Sequence, residues 1–239
     1  MRTSKERVSA AIHHRTADRA VIGTFTFGAY FVASFVRGME YLMMDFAMRT
    51  DYADHLIRTI TEKMLLALDI MLGKHSDGID IVFMADDYCF QRVPLFSPAV
   101  FKRHIQPYLR QVAKRCHRKN KKFLLHCCGG VRPLLPMIID AGVDMLEPIQ
   151  IRAAGMESRQ LKKDFGKHLC FYEGMDLQQV LCQGTPRRVA DEVQQLIDAL
   201  GDQGGYILGP GHTYIQTDAP LENILAMYNT AASVPYGQP

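Results

Sequence analysis

Residues 122–129 read Lys122-Phe123-Leu124-Leu125-His126-Cys127-Cys128-Gly129. An unbroken apolar run of strand length is what a parallel sheet carries, because helices cover both of its faces. This run ends in an imidazole and two thiols. The pattern repeats along the chain. Ile79 to Ala85 runs into Asp86-Asp87, Val143 to Glu147 ends in a carboxylate, His168 to Glu173 ends in another with Asp176 just beyond, and Gly205 to Gly209 is followed by His212. With Val21 to Phe27, six strands are expected, five of which end in a polar or metal-loving side chain.

Helical patterns fill the intervals. Ser97-Pro98 and Thr185-Pro186 each supply an N-cap and a first-turn proline. The first opens a helix with Phe101, Ile105, Leu109 and Val112 inside; the second opens one with Val189, Val193, Leu196 and Leu200 inside, closed by Gly201. A long helix over residues 51–72 sets Leu56, Ile60, Met64, Leu68 and Leu72 four apart, with Gly73 as its stop. Shorter helices are expected up to Phe46, over residues 133–141, and from Pro220 onward. Thr3 and Glu6 read as a capping box for a helix through Ile12. Methionines 39, 43, 44, 64 and 71 fall in helices and read as core filler.

Strands alternating with helices imply a parallel sheet with right-handed crossovers. No G-x-G-x-x-G fingerprint follows the first strand and no phosphate loop is present, which favours an α/β fold of the (β/α) TIM-barrel type over a doubly wound sheet. A closed barrel of this type uses eight strands, so with six visible the barrel reads as incomplete.

Composition narrows the partners. The 239 residues are 48% hydrophobic and 22% charged, an ordinary globular balance. Lys plus Arg is 28 against 25 Asp plus Glu, which lacks the basic footprint of a nucleic-acid binder. Ala20 to Val36 is uncharged, but it is short of a membrane span and is interrupted by Gly23, Thr24, Thr26, Gly28 and Ser34, so a strand followed by a buried helix is expected there. Six cysteines, two of them adjacent, are too few for a disulfide scaffold and fit a reducing cytoplasm. Met1 to Arg7 is charged and leads into no apolar stretch, so no leader peptide is expected.

In parallel β/α folds the chemistry gathers at the carboxyl ends of the strands. His126 and Cys128, two apart on a strand, project from one face, and both are good zinc donors. Two readings stand for the pair: metal ligands completed from another strand, with His212 the best candidate, or a hydrogen-bonded core histidine beside a packed thiol. Asp86 and Asp87 read as one functional carboxylate and one turn cap, in an order the sequence leaves open. Glu147 and Glu173 can ligate a metal, hold a ligand or bind substrate. Cys127 should face away from Cys128, and Cys89, Cys116, Cys170 and Cys182 read as packing residues.

The ordered segments resemble the uroporphyrinogen decarboxylase superfamily, which includes tetrapyrrole decarboxylases and zinc-dependent methyltransferases that exchange methyl groups with corrinoids. The resemblance is carried by Arg37-Gly38-Met39-Glu40, Asp86-Asp87-Tyr88-Cys89-Phe90-Gln91, Leu95-Phe96-Ser97-Pro98, His126-Cys127-Cys128-Gly129, Ala141-Gly142-Val143-Asp144, Gly174-Met175-Asp176 and Gly204-Gly205-Tyr206-Ile207-Leu208. It implies a single domain over residues 1–239 lacking the first barrel units, with its site at the carboxyl face. In the methyltransferase branch, zinc is held by an H-x-C pair and a cysteine of the last strand. His126 and Cys128 match the pair, and the third ligand falls at or beside His212, so that a histidine would replace the cysteine. Asp86, Asp87 and Glu173 are then the catalytic carboxylates, and Glu147, Gln91, Tyr214 and Arg37 the substrate-binding side chains.

The chain departs from the family pattern in four places. The segment between Arg19 and Val21 is abrupt where relatives place the first strands. The arginine-rich R-Q-A-G-R signature of the decarboxylases is absent, Cys89 stands at the usual glycine of D-D-x-G-x-Q, and the loop from His212 to Gln216 is one residue longer than is common. The expected function is zinc-dependent methyl transfer involving a thiol, a corrinoid or a similar carrier. The alternatives are decarboxylation of uroporphyrinogen or a related polycarboxylate, and a non-catalytic partner subunit. Because a six-stranded parallel sheet leaves edges exposed, a homodimer or a complex with another β/α subunit is expected.

Overall fold

The computed structural model describes residues 24–48, 50–74 and 79–234. The expected helix from Thr3 to Ile12 and the start of the first expected strand lie outside these residues. The chain divides after Asp144 into two compact units.

The first unit holds three parallel strands in the order β1 (Thr24–Phe27), β2 (Ile81–Ala85), β3 (Lys122–His126). In register, Phe27 lies beside Ala85 and Ala85 beside His126, so the three strands finish level with one another. Val82, Phe83, Met84, Phe123, Leu124 and Leu125 are all buried, as a sheet covered on both faces requires. Three helices connect β1 to β2: α1 (Ala29–Arg37), α2 (Met39–Met48) and α3 (Thr50–Lys74). The expected single helical stretch through Phe46 is broken at Gly38, whose φ of +85° leaves the helical region. Between β2 and β3 the Ser97 hydroxyl caps a turn at Pro98–Val100, a π-helical turn follows at Phe101–Ile105, and α4 (Gln106–Arg118) continues. Phe101, Ile105, Leu109 and Val112 are buried as expected. The ring of Phe101 joins those of Tyr30, Tyr88 and Phe96 in one aromatic cluster. A 3-10 turn (Arg132–Leu134) and α5 (Leu135–Asp140) end at Gly142, where φ is +94°.

Three expectations fail on the helices. On α3 the buried series is Ala53, Ile57, Thr61, Leu65, Leu68 and Leu72, while Leu56, Ile60 and Met64 are half-exposed. The reason is geometric. A step of four residues overshoots one helical turn by about 40°, so a strict four-residue series winds off its face, and one step of three restores it. The methionines read as core filler are not core: Met39 and Met44 are exposed, and Met43, Met64 and Met71 are half-buried. Nor is α1 buried all round, since Phe35 and Val36 face solvent.

The second unit holds β4 (Met145–Glu147), β5 (Cys170–Tyr172) and β6 (Tyr206–Ile207), again parallel and in chain order. The helix α6 (Ser158–Phe165), carried by one buried apolar side chain, Leu161, and a π-helical turn (Leu177–Leu181) escape sequence reading. The helix α7 (Pro186–Leu200) is capped by Thr185, whose hydroxyl accepts from Arg188 N, and it packs on α8 (Leu221–Ser233). The class is therefore α/β with parallel strands in the β/α order of a barrel, and six strands are present among the described residues. No helix among the described residues is long and apolar enough to cross a membrane.

Asn223 on α8 ties this unit together. It is buried, and its Nδ2 donates to Leu181 O (2.9 Å) and Gly184 O (2.8 Å). Asn223→Leu leaves both carbonyls without that donor and is expected to cost about 2–4 kcal/mol, read as a lower urea midpoint with the m-value unchanged.

Candidate metal centre and strand-end site

The strands of the first unit end level, and the residues just past those ends define the site. Asp86 N donates to His126 O (3.0 Å), which extends the β2–β3 ladder by one bond. The Asp86 carboxylate turns under the first turn of α1, where it accepts from Phe31 N (2.6 Å), Tyr30 N (3.3 Å) and the Tyr88 hydroxyl (2.9 Å). Backbone donors at a helix start are a natural seat for a carboxylate. Burial pushes its acid up to about 7, against the lowering effect of these three hydrogen bonds. Gly28 makes the seat possible, because a Cβ there would collide with the Asp86 side chain.

Asp87 points elsewhere. Its Oδ1 accepts from Cys128 N (2.7 Å) and lies 3.8 Å from His126 Nε2. His126 Nε2 is 3.4 Å from Cys128 Sγ. One donor atom from each of Asp87, His126 and Cys128 lies within 4.8 Å of the others. A tetrahedral zinc ion with ligand bonds of about 2.0–2.3 Å separates its donors by roughly 3.3–3.8 Å. The carboxylate, imidazole and thiol therefore match such an ion in chemistry, and the imidazole stands at that spacing from both the carboxylate and the thiol. The His126 ring is buried edge-on to Phe83 (5.9 Å), and Asp87 is half-exposed, which leaves the cluster open to a further ligand.

A turn docks this cluster. Gly129 has φ +89°, and a Cβ on it would strike the Phe90 carbonyl, which accepts from Gly130 N (2.9 Å). The segment from Asp87 to Phe90 thus lies along residues 127–130. Cys127, on the opposite face from Cys128, is fully buried and accepts from Tyr88 N (3.4 Å). Its thiol hydrogen-bonds with that of Cys89, and burial pushes it well above the usual thiol range.

The other expected residues fall as follows. In the first unit, Arg37 Nε pairs with the buried Asp45 (2.7 Å) while its guanidinium covers the Tyr41 and Tyr52 rings, and Gln91 is exposed. In the second unit, Glu147 is buried at the end of β4 and accepts from Thr213 Oγ1 (3.0 Å). Glu173 follows β5, buried, at a left-handed φ of +68° that a non-glycine residue seldom adopts. Both carboxylates, with burial as the larger cause, raise the hydroxyl of Tyr172 above its ordinary range, so they converge on one ring. Asp176 is structural: it caps the π-helical turn through Gln179 N (3.0 Å) and accepts from Arg152 Nε (2.8 Å). His212, half-buried, accepts at Nδ1 from Tyr214 N (3.4 Å), and the Tyr214 side chain is exposed.

Comparison with known families places this geometry. The family profile described as Uroporphyrinogen decarboxylase (URO-D) matches residues 7–234. The chain belongs to the uroporphyrinogen decarboxylase family. The match runs through both units. Among solved structures, a methyltransferase from Methanosarcina mazei shares the fold with a TM-score of 0.71 and 22% sequence identity. The alignment covers 86% of this chain and 56% of that one, so the chain spans just over half of that relative's length. No curated protein matches the sequence. The URO-D resemblance read from the strand-end motifs is thus borne out, as is the α/β fold.

The Asp86 seat predicts a pair of opposite glycine effects. Gly28→Ala places a methyl group on a buried carboxylate and is expected to destabilise by about 2–4 kcal/mol. Gly73→Ala, on α3 with open space around its Cβ, is expected to be neutral or to stabilise by up to about 1 kcal/mol. Chemical denaturation of the two variants beside the parent checks both signs.

Proposed function

We propose that this URO-D family member is a zinc-dependent methyltransferase whose methyl donor or acceptor is a thiol, a corrinoid or a similar carrier. The observation that supports this reading most is the joining of Asp87, His126 and Cys128 at adjacent strand ends. Those residues would hold zinc, and His212 is the further ligand that the sequence resemblance implies. Bound zinc supplies a lowered pKa for a thiol and holds it as the nucleophilic anion.

The chain's own groups divide the remaining work. Asp86 fixes α1 to the end of β2, which leaves Asp87 to face the cluster. The Cys128 amide orients the Asp87 carboxylate, as an outer hydrogen bond orients a metal ligand. Glu147 and Glu173 bind substrate or carry protons, with Thr213 fixing the orientation of the Glu147 carboxylate. Gln91 and Tyr214, both exposed, are assigned in this reading to contact with a small-molecule substrate. We read residues 1–239 as one URO-D domain acting in the cytoplasm.

Decarboxylation of a polycarboxylate needs unengaged cations to pair with its carboxylates. Arg37 is bound to Asp45 and Arg152 to Asp176, so neither guanidinium is unengaged, which favours methyl transfer. A non-catalytic partner subunit would have no use for a clustered donor set.

Metal analysis tests the proposal. Protein prepared without chelator is expected to carry about one zinc per chain. His126→Ala and Cys128→Ala are expected to lower zinc affinity on the order of 100-fold or more, with Asp87→Ala and His212→Ala weakening it less. Zinc-loaded protein should demethylate a methylated corrinoid in the presence of a thiol, followed by absorbance. Metal-free protein after zinc-supplemented expression, or zinc retained at full affinity in the Cys128→Ala variant, overturns the reading.

A further inference from the structure

We propose that the cavity between β2 and the helices α1, α3 and α4 is a binding site for a small uncharged molecule with an apolar body and one acceptor oxygen, in chemical class a ketone or an ether. The reading does not depend on the metal site. The cavity measures about 280 Å³ with its mouth included. Ile57, Met64, Met84, Leu109 and Val112 make most of its wall. Met64 and Tyr108 are the half-exposed members of the lining and stand at the mouth, while the rest are buried. Met84 and Asp86 face this space, and Phe83 between Met84 and the strand's other face lies edge-on to the His126 ring, so cavity and donor cluster occupy opposite faces of one strand.

The hydroxyls on the wall select the guest. Tyr88 donates to Asp86 Oδ2 (2.9 Å), Thr61 to Ile57 O (2.8 Å) and Tyr108 to Asp54 O (3.4 Å). The hydroxyl of Tyr30, also on the lining, is buried and has no hydrogen-bond partner among the described residues. One uncommitted donor therefore belongs to an otherwise apolar space. A buried hydroxyl in that state is destabilising, and a guest oxygen that accepts from it removes the penalty. A water molecule is poorly suited, because a buried water takes about two to four polar partners. Charge is disfavoured in either sign. An anion would meet the Asp86 carboxylate, and a cation would find that carboxylate already accepting three hydrogen bonds, with no second acid on the wall. The apolar body of the guest lies against Met64 and Met84, unbranched side chains that adapt to its shape.

Cyclohexanone and methylenecyclohexane, in which a methylene group replaces the oxygen, test the assignment by saturation-transfer NMR on the full chain. The parent is expected to bind both at millimolar concentration. Tyr30→Phe keeps the ring and removes the donor; it is expected to weaken cyclohexanone on the order of 5-fold and to leave methylenecyclohexane unchanged. Without a guest, the same variant should match or exceed the urea midpoint of the parent, since the lost hydroxyl had no partner. Met64→Trp fills the mouth and should weaken both guests by about 10-fold or more, with far-UV circular dichroism unchanged. Cys128→Ala, across the strand, should bind both guests as the parent does. Absence of binding by the parent, a Tyr30→Phe variant that treats the two guests alike, a lower midpoint for guest-free Tyr30→Phe (the mark of a structural water), or guests lost in Cys128→Ala and retained in Met64→Trp each overturns the assignment.

Discussion

The seat of Asp86 under the first turn of α1 is the constraint from which the first unit is built. One carboxylate joins the end of β2, the start of the first helix and, through Tyr88, the aromatic cluster behind them. The carboxyl group is buried, and such a group is tolerated because three donors converge on it. With Asp86 turned inward, the alternation of the chain sends Asp87 outward to the Cys128 amide and the His126 ring. The division of labour between two adjacent aspartates follows from this geometry alone.

The sequence exposes such a fold unevenly. Parallel strands are legible because burial on both faces makes them continuous apolar runs, and all six stand where those runs are. Caps are legible because Ser97-Pro98 and Thr185-Pro186 put both halves of the signal side by side. Features that depend on a small excess of packing energy are not. The face of α3 could not be read from four-residue spacing, since the drift per turn is resolved only by contacts with its neighbours. The π-helical turn at Phe101–Ile105 adds a residue without disturbing the apolar pattern, so nothing local marks it.

At the site, the H-x-C pair was legible because a period of two is fixed by strand geometry. Which of Asp86 and Asp87 joins it was not, for the deciding residue is Gly28, nearly sixty positions away, whose missing Cβ admits one carboxylate and so releases the other. The methionines of α2 and the uncharged stretch of α1 misled for a related reason. Helical spacing reports that a face is apolar, but not whether the chain itself covers it.

The sulfur atoms near the cluster show how an ion would be steered to one of them. Cys89 stands where the family pattern has glycine, and its thiol packs against that of Cys127 behind the strand end. Two thiols within reach of a metal pair could compete for it, since a metal binds the thiolate and not the thiol. Burial opposes this: Cys127 is fully enclosed, held far above the usual thiol range, and already engaged with Cys89 and the Tyr88 amide. Cys128, one residue on, faces the opposite side, partly exposed, beside an imidazole and a carboxylate. The pleat of one strand therefore separates a sulfur that packs from a sulfur that can ligate, and the extra cysteine fills space on the packing side without disturbing the donor set on the other.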